Sequence, residues 1–139
     1  MLYFPQCAGA HIFGLGDFMD VHAWDTPIRA AWHKSNILVD YKYTPDVLVA
    51  IIQEEETNHR WHVMFKDLAA LKIIVGDNAH WSLEPLPPDG GFFTITGSPW
   101  LSALGLSENN AQRQAAHYVI CCKRELIEIA AFDVTFTPE

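Results

Sequence analysis

Residues 16–25, GDFMDVHAWD, gather Asp17, Asp20, His22 and Asp25 into one short segment. Carboxylate and imidazole groups are the side chains used for mixed oxygen and nitrogen metal ligation and for proton transfer. If residues 20–24 are extended, Asp20, His22 and Trp24 line one face, because alternate residues of a strand share a side. Asp17, Asp20 and His22 are therefore the catalytic candidates of this sequence. The plainer reading is turn chemistry, since aspartates beside Gly14 and Gly16 are ordinary turn formers. No further ligand stands at a diagnostic spacing, so neither a metal nor a cofactor is expected.

The sequence HRWH sets His59 and His62 three residues apart, which on a helix would place both imidazoles together. The surrounding RWHVMFK alternates like a strand, which sends them to opposite faces, so they should not chelate jointly. HYVICC holds His117, Cys121 and Cys122. Read as a strand, it points the two thiols to opposite faces, and His117 lies roughly 13 Å from Cys121, too far to activate it. Free cysteine is among the most buried residue types, so both thiols are expected in the core. The DGG at 89–91 lacks the Gly-Lys-Ser/Thr continuation of a phosphate loop. No nucleophile elbow, zinc-protease helix or dinucleotide fingerprint occurs.

Composition narrows the classes. The chain has 139 residues, 50% of them hydrophobic and 19% charged, enough to bury the core of one domain spanning 1–139 without disulfides. A formal net charge of −8 repels phosphate backbones and anionic lipid, so nucleic acid and membrane surfaces are not expected partners. Three cysteines cannot all pair, and Cys121-Cys122 has no redox-motif spacing, which suits a reducing compartment and a cytoplasmic location. The uncharged opening MLYFPQCAGAHIFGLG lacks the basic flank of a signal peptide. No apolar run approaches the roughly 20 residues of a membrane span.

These residues must be positioned mainly by strands. NILVDYKY alternates, Thr44-Pro45-Asp46 supplies a turn, and VLVAIIQ is apolar on both parities, as in a strand covered on both faces. RWHVMFK then completes a meander, and LKIIV reads as a separate fourth strand that ends at Gly76-Asp77-Asn78. HWSL reads as a short return strand, EPLPPDGG as a loop, and FFTIT as another strand. SPWLSALG has the one clear helix signature, with Ser98 as N-cap, Pro99 at the first position and Gly105 as the stop. Trp100 should pack that helix onto the sheet. Near the end, HYVICC and a return strand with Ile127, Ile129 and Ala131 inward, and Glu128 outward, form a hairpin. SENNAQRQAA is either a helical turn or a polar loop.

RWHVMFKDLAALKI, followed later by HYVICCKRELIEIAA, resembles a pattern in small bacterial proteins of unknown function: an aromatic strand before an Asp-hydrophobic turn, and a closing His-Tyr-Val-Ile hairpin. The resemblance covers about a third of the chain and implies no activity and no site residue. The expected fold is mainly β, a single domain of antiparallel strands as a two-layer sandwich or partly open barrel with one or two short helices; α+β is the alternative. The expected function is non-catalytic binding of a protein partner or of a second copy, as a homodimer. Trp24, Trp32, Trp81 and the run Glu54, Glu55, Glu56 are the interface candidates, tryptophan being a favoured hot-spot residue and an acidic tip a landing site for a basic partner. The run is otherwise a solvated loop tip. The alternative function is a small enzyme or metal-binding protein whose site is assembled from dispersed Asp and His.

Overall fold

A computed structural model describes residues 20–28, 36–76, 90–106 and 114–139. Asp17, Trp32, Trp81, the HWSL segment and most of EPLPPDGG and SENNAQRQAA lie outside the described residues. Seven strands and one short helix follow in order: β1 (Asp20–Ala23), β2 (Asn36–Tyr43), β3 (Val47–Glu54), β4 (Arg60–Val75), β5 (Phe92–Thr96), α1 (Pro99–Ala103), β6 (Ala116–Cys121) and β7 (Glu125–Pro138). The fold is mainly β, as the alternating segments predict. The strands make a single antiparallel sheet in the order β1-β5-β6-β7-β4-β3-β2, not closed into a barrel.

Two meanders, β2-β3-β4 and β5-β6-β7, are joined through the pairing of the long strands β4 and β7, which runs from Trp61 opposite Pro138 to Val75 opposite Glu125. RWHVMFK and LKIIV, read from sequence as two strands, are the halves of β4. The apparent gap between them has two physical causes. Asp67 takes a φ of 54°, a left-handed conformation that Asp tolerates better than most side chains. The register then shifts between Leu68 and Ala70, the mark of a bulge. Each irregularity reverses the inward parity, so Phe65, Leu68 and Leu71 all reach the same core although they stand at intervals of three.

That core lies on one face and draws Leu48, Ile52, Val63, Phe65, Ile120 and Ile129, with others, from β3, β4, β6 and β7. Trp24 sits over its centre, with ring centroids 4.7 Å from Tyr118, 5.4 Å from Phe136, 5.9 Å from Phe92 and 6.4 Å from Phe65. Expected at an interface, Trp24 instead plugs the core. The sheet wraps around this cluster. In a flat sheet β6 and β2 would stand four spacings, roughly 19 Å, apart. Yet the buried Asn36 at the start of β2 donates from Nδ2 to the Cys121 carbonyl at 3.2 Å, and its own carbonyl accepts from Lys123 N at 2.7 Å. The opposite face is covered locally, where α1 lays Trp100 and Leu101 against Ala70, Ala115 and Ala130.

The helix is as the sequence predicts: Ser98 caps it, Pro99 opens it, and Gly105, at φ 75°, takes the left-handed position that ends it. The acidic run is exposed at Glu55 and Glu56, as a solvated tip should be, while Glu54 is half-buried. Glu54 ends β3 and accepts from Trp61 Nε1 at 3.1 Å, and Glu55 meets Lys123 at 2.8 Å. If Trp24 is the plug described, Trp24→Ala should lower the unfolding free energy by about 3 kcal/mol, as for large aromatic truncations in cores. Urea denaturation checks this, and a loss under about 1 kcal/mol would show the indole to be peripheral.

Candidate functional site

The richest cluster of polar chemistry lies on the outer face, beneath α1. Three strands and the helix cap each contribute to it. β4 supplies Lys72, β6 supplies His117, β7 supplies Glu128, and Ser98 stands at the helix N-terminus. Lys72 and Glu128 are direct cross-strand partners, while His117, opposite Ala130, is the diagonal neighbour of Glu128. Such pairs on one face lie within side-chain reach. The bonds follow in series: Leu101 N donates to Ser98 Oγ at 3.2 Å, Ser98 Oγ lies 2.8 Å from His117 Nδ1, His117 Nε2 lies 2.8 Å from Glu128 Oε1, and Lys72 Nζ lies 3.4 Å from Glu128 Oε2. Trp100 covers the group, with its ring 4.9 Å from the imidazole and 5.1 Å from Lys72 Nζ.

Serine, histidine and carboxylate in this order form the relay of nucleophilic acyl transfer. The proton assignment that uses each donor once has Ser98 O–H donating to Nδ1 and Nε2–H donating to Glu128. What separates the cluster from a working nucleophile is access. Ser98 is 2% exposed, His117 0%, Glu128 2% and Lys72 2%. The Ser98 oxygen also accepts the helix N–H, which occupies one of its two lone pairs in capping α1. A shallow depression lies elsewhere on the sheet, lined by Val49, His62, Met64, Thr135, Thr137 and Glu139. The cluster fastens α1 to the sheet: its links run from the helix cap to β6, from β6 to β7 and from β7 to β4.

Burial lowers the Lys72 pKa from its ordinary value, and the Glu128 carboxylate opposes that shift without cancelling it. A buried ammonium and carboxylate hold one another in place, and removing either leaves the other stranded.

The sequence-derived candidates do not join this cluster. Asp20 and His22 are exposed on β1, and His22 Nε2 meets Thr96 Oγ1 of β5 at 2.9 Å. Asp25 is exposed beyond the end of the strand. His62 bonds Glu139 at 3.0 Å, and His59 is in the turn before β4. Among the described residues no three His, Cys, Asp or Glu side chains are grouped to hold a metal. The cysteines are core, as expected: Cys121 is 2% exposed and Cys122 0%, in separate clusters on opposite faces.

Glu128 was expected to face outward, and the structure corrects this. Its neighbours Leu126, Ile127, Ile129, Ala130 and Ala131 are all buried, so β7 is covered on both faces there. The signal was legible in part: LIEIAA and LKIIV each embed a single charge in an otherwise apolar run, the pattern of strands with no solvent face. One acidic and one basic intruder of that kind are candidates for a buried pair.

Glu128→Ala should lower stability by about 3–5 kcal/mol, as expected when one member of a buried pair is deleted. Native protein treated with a fluorophosphonate should carry no adduct at Ser98 by peptide mass spectrometry; labelling there would make the relay catalytic. Burial pushes the Cys121 thiol up to about 12. Its folded value exceeds the unfolded one, so the stability it contributes is fully present below about pH 9 and is lost as pH rises toward 12. Denaturation midpoints should therefore fall less steeply above pH 9 in Cys121→Ala than in the native protein, whatever the absolute loss from the smaller side chain. No family model, curated protein or solved structure matches this chain.

Proposed function

We propose that this protein is a non-catalytic binding module that engages a protein partner through the open edge of its sheet at β2. One observation carries the reading. Of the exposed large hydrophobic side chains among the described residues, Val39 at 38%, Tyr41 at 37% and Tyr43 at 43%, together with Val75, three stand on this one strand. β2 ends the sheet, and every residue from Val39 to Asp46 is exposed. The Tyr41 and Tyr43 rings stack at 6.5 Å with an interplanar angle of 13°, making a rigid aromatic step. Tyrosine, with a large apolar body and a polar tip, is enriched at interfaces.

An unpaired strand edge is a template for another strand. The other end of the sheet offers less, since β1 has only four residues. Trp24 packs against the core and Glu54 bonds Trp61, and the exposed apolar side chains lie instead at Val39, Tyr41 and Tyr43. A reducing cytoplasm suits the two buried free thiols. No helix among the described residues is long and apolar enough to cross a membrane.

A photo-crosslinking phenylalanine analogue placed at Tyr43 in cells making the protein should give discrete higher-mass adducts on irradiation. The same residue at Val75, exposed but not on the edge strand, should not. Absence of adducts at Tyr43, or the same pattern at both positions, would remove β2 as the binding surface.

A further inference from the structure

We infer that the strand received by β2 is β2 of a second copy of this chain, paired antiparallel about a two-fold axis at Tyr41. This rests on the reading of β2 as the binding edge and names its occupant. The hydrogen-bonding parity of β2 comes first. Thr44 N donates to Val47 O at 2.8 Å across the Pro45-Asp46 turn, so Thr44 is bonded toward β3, as is Lys42 two residues back. Tyr41 and Tyr43 then turn their N–H and C=O groups outward. The Tyr41 amide agrees, since it bonds the Asp40 carboxylate at 2.8 Å and not β3.

Two outward-facing strands can pair antiparallel only in registers that place Tyr41 or Tyr43 opposite such residues of the partner, and charge decides among these. A dyad at Asp40 sets Asp40 against Asp40. A dyad at Lys42 sets Lys42 against Lys42. A dyad at Tyr43 brings Tyr41 opposite Pro45, which has no N–H to give. A dyad at Tyr41 sets Asp40 against Lys42 twice, once on each side of the axis, in the closely spaced non-hydrogen-bonded positions where opposite charges attract and like charges repel. It also brings Tyr43 toward the partner's Val39, where the irregularity between Leu38 and Asp40 ends the regular ladder, so that the three exposed apolar residues gather at one seam. In forming it, Asp40 releases the Tyr41 amide to the partner's carbonyl and turns to Lys42. A strand without a cation at that place would leave the carboxylate uncompensated, so Asp40 selects its partner as well as guarding the edge.

Sedimentation equilibrium and native mass spectrometry should show a monomer–dimer equilibrium for the native protein. Asp40→Lys and Lys42→Asp should each weaken it about tenfold or more, because each makes two like-charge contacts in the dimer. Mixing these two variants should restore association as a heterodimer, where the opposed charges attract again; a merely misfolded variant would not be rescued. Tyr41→Pro removes the outward N–H, its bond to the Asp40 carboxylate and the ring stacked on Tyr43, but no ladder bond to β3. An edge strand tolerates this, so the variant should be a folded monomer whose urea midpoint matches that of the native protein diluted to its monomer. A native protein that stays monomeric to about 1 mM, a dimer indifferent to both charge changes, or a mixture that stays monomeric overturns the inference. A native monomer that still crosslinks another protein through Tyr43 refutes the second copy and leaves the binding reading standing; a monomer without adducts ends both.

Discussion

The pairing of β4 with β7 is the constraint on which the other elements depend. It joins the two meanders, and it is long enough that no single register error could be absorbed without moving the core face outward. Its irregularities matter as much as its length. A regular pair of this extent would keep one parity inward throughout, and the twist alone would not bring the two halves of the sheet around one core. The positive φ at Asp67 and the bulge beside Leu68 let the strand change direction while Phe65, Leu68 and Leu71 remain inside. Curling then lets Asn36, at the start of the last strand, reach the β6–β7 hairpin.

The same pairing fixes the buried polar cluster. Lys72 and Glu128 face one another because the bulge shifts β4 by one residue against β7, and the diagonal position of His117 completes the line to Ser98. The outcome is a chain of charge-assisted bonds under a tryptophan, in a part of the sheet that otherwise buries only apolar side chains. Its resemblance to a catalytic relay is a resemblance of order and distance. Reactivity also needs an approach to the nucleophile, and here Ser98 is buried. The geometry suits orientation: an apolar contact alone would hold α1 at many angles, whereas directional bonds to its cap select one.

Binding, in this reading, belongs to the part of the sheet that the long pair does not cover. β2 is the last strand of the shorter-range meander, farthest from the helix, and it carries apolar side chains where solvent would favour polar ones. Its alternating Asp40 and Lys42 both protect the open amides and set a charge code for what can lie beside them. Edge protection and partner choice are thus served by the same two residues.

Much of the fold was legible in the sequence because it rests on local rules. The alternation of NILVDYKY, the Pro-Asp turn, the cap and stop of α1 and the hairpin of buried thiols all follow from period, turn chemistry and capping, which involve neighbours in the chain. The apolar run of β3 suggests two covered faces, yet only the face of Leu48, Ala50 and Ile52 is buried and that of Val47, Val49 and Ile51 is half-exposed. The continuity of β4 was not legible, because a bulge and a left-handed Asp look in sequence like the end of a strand. Nor was the inward turn of Glu128. Parity assigns it to a second face but does not say whether that face is wet, and only the docking of α1 and the packing of Trp100 made it dry. Trp24, taken for an interface anchor, became a core plug for a similar reason: its neighbours Phe65, Phe92, Tyr118 and Phe136 come from four distant strands. What the sequence by itself determined was where most of the strand segments lie, the helix and the absence of familiar catalytic motifs. The tertiary structure alone decided which charges are buried together and which strand is left open, since burial and edge position are properties of the assembled sheet.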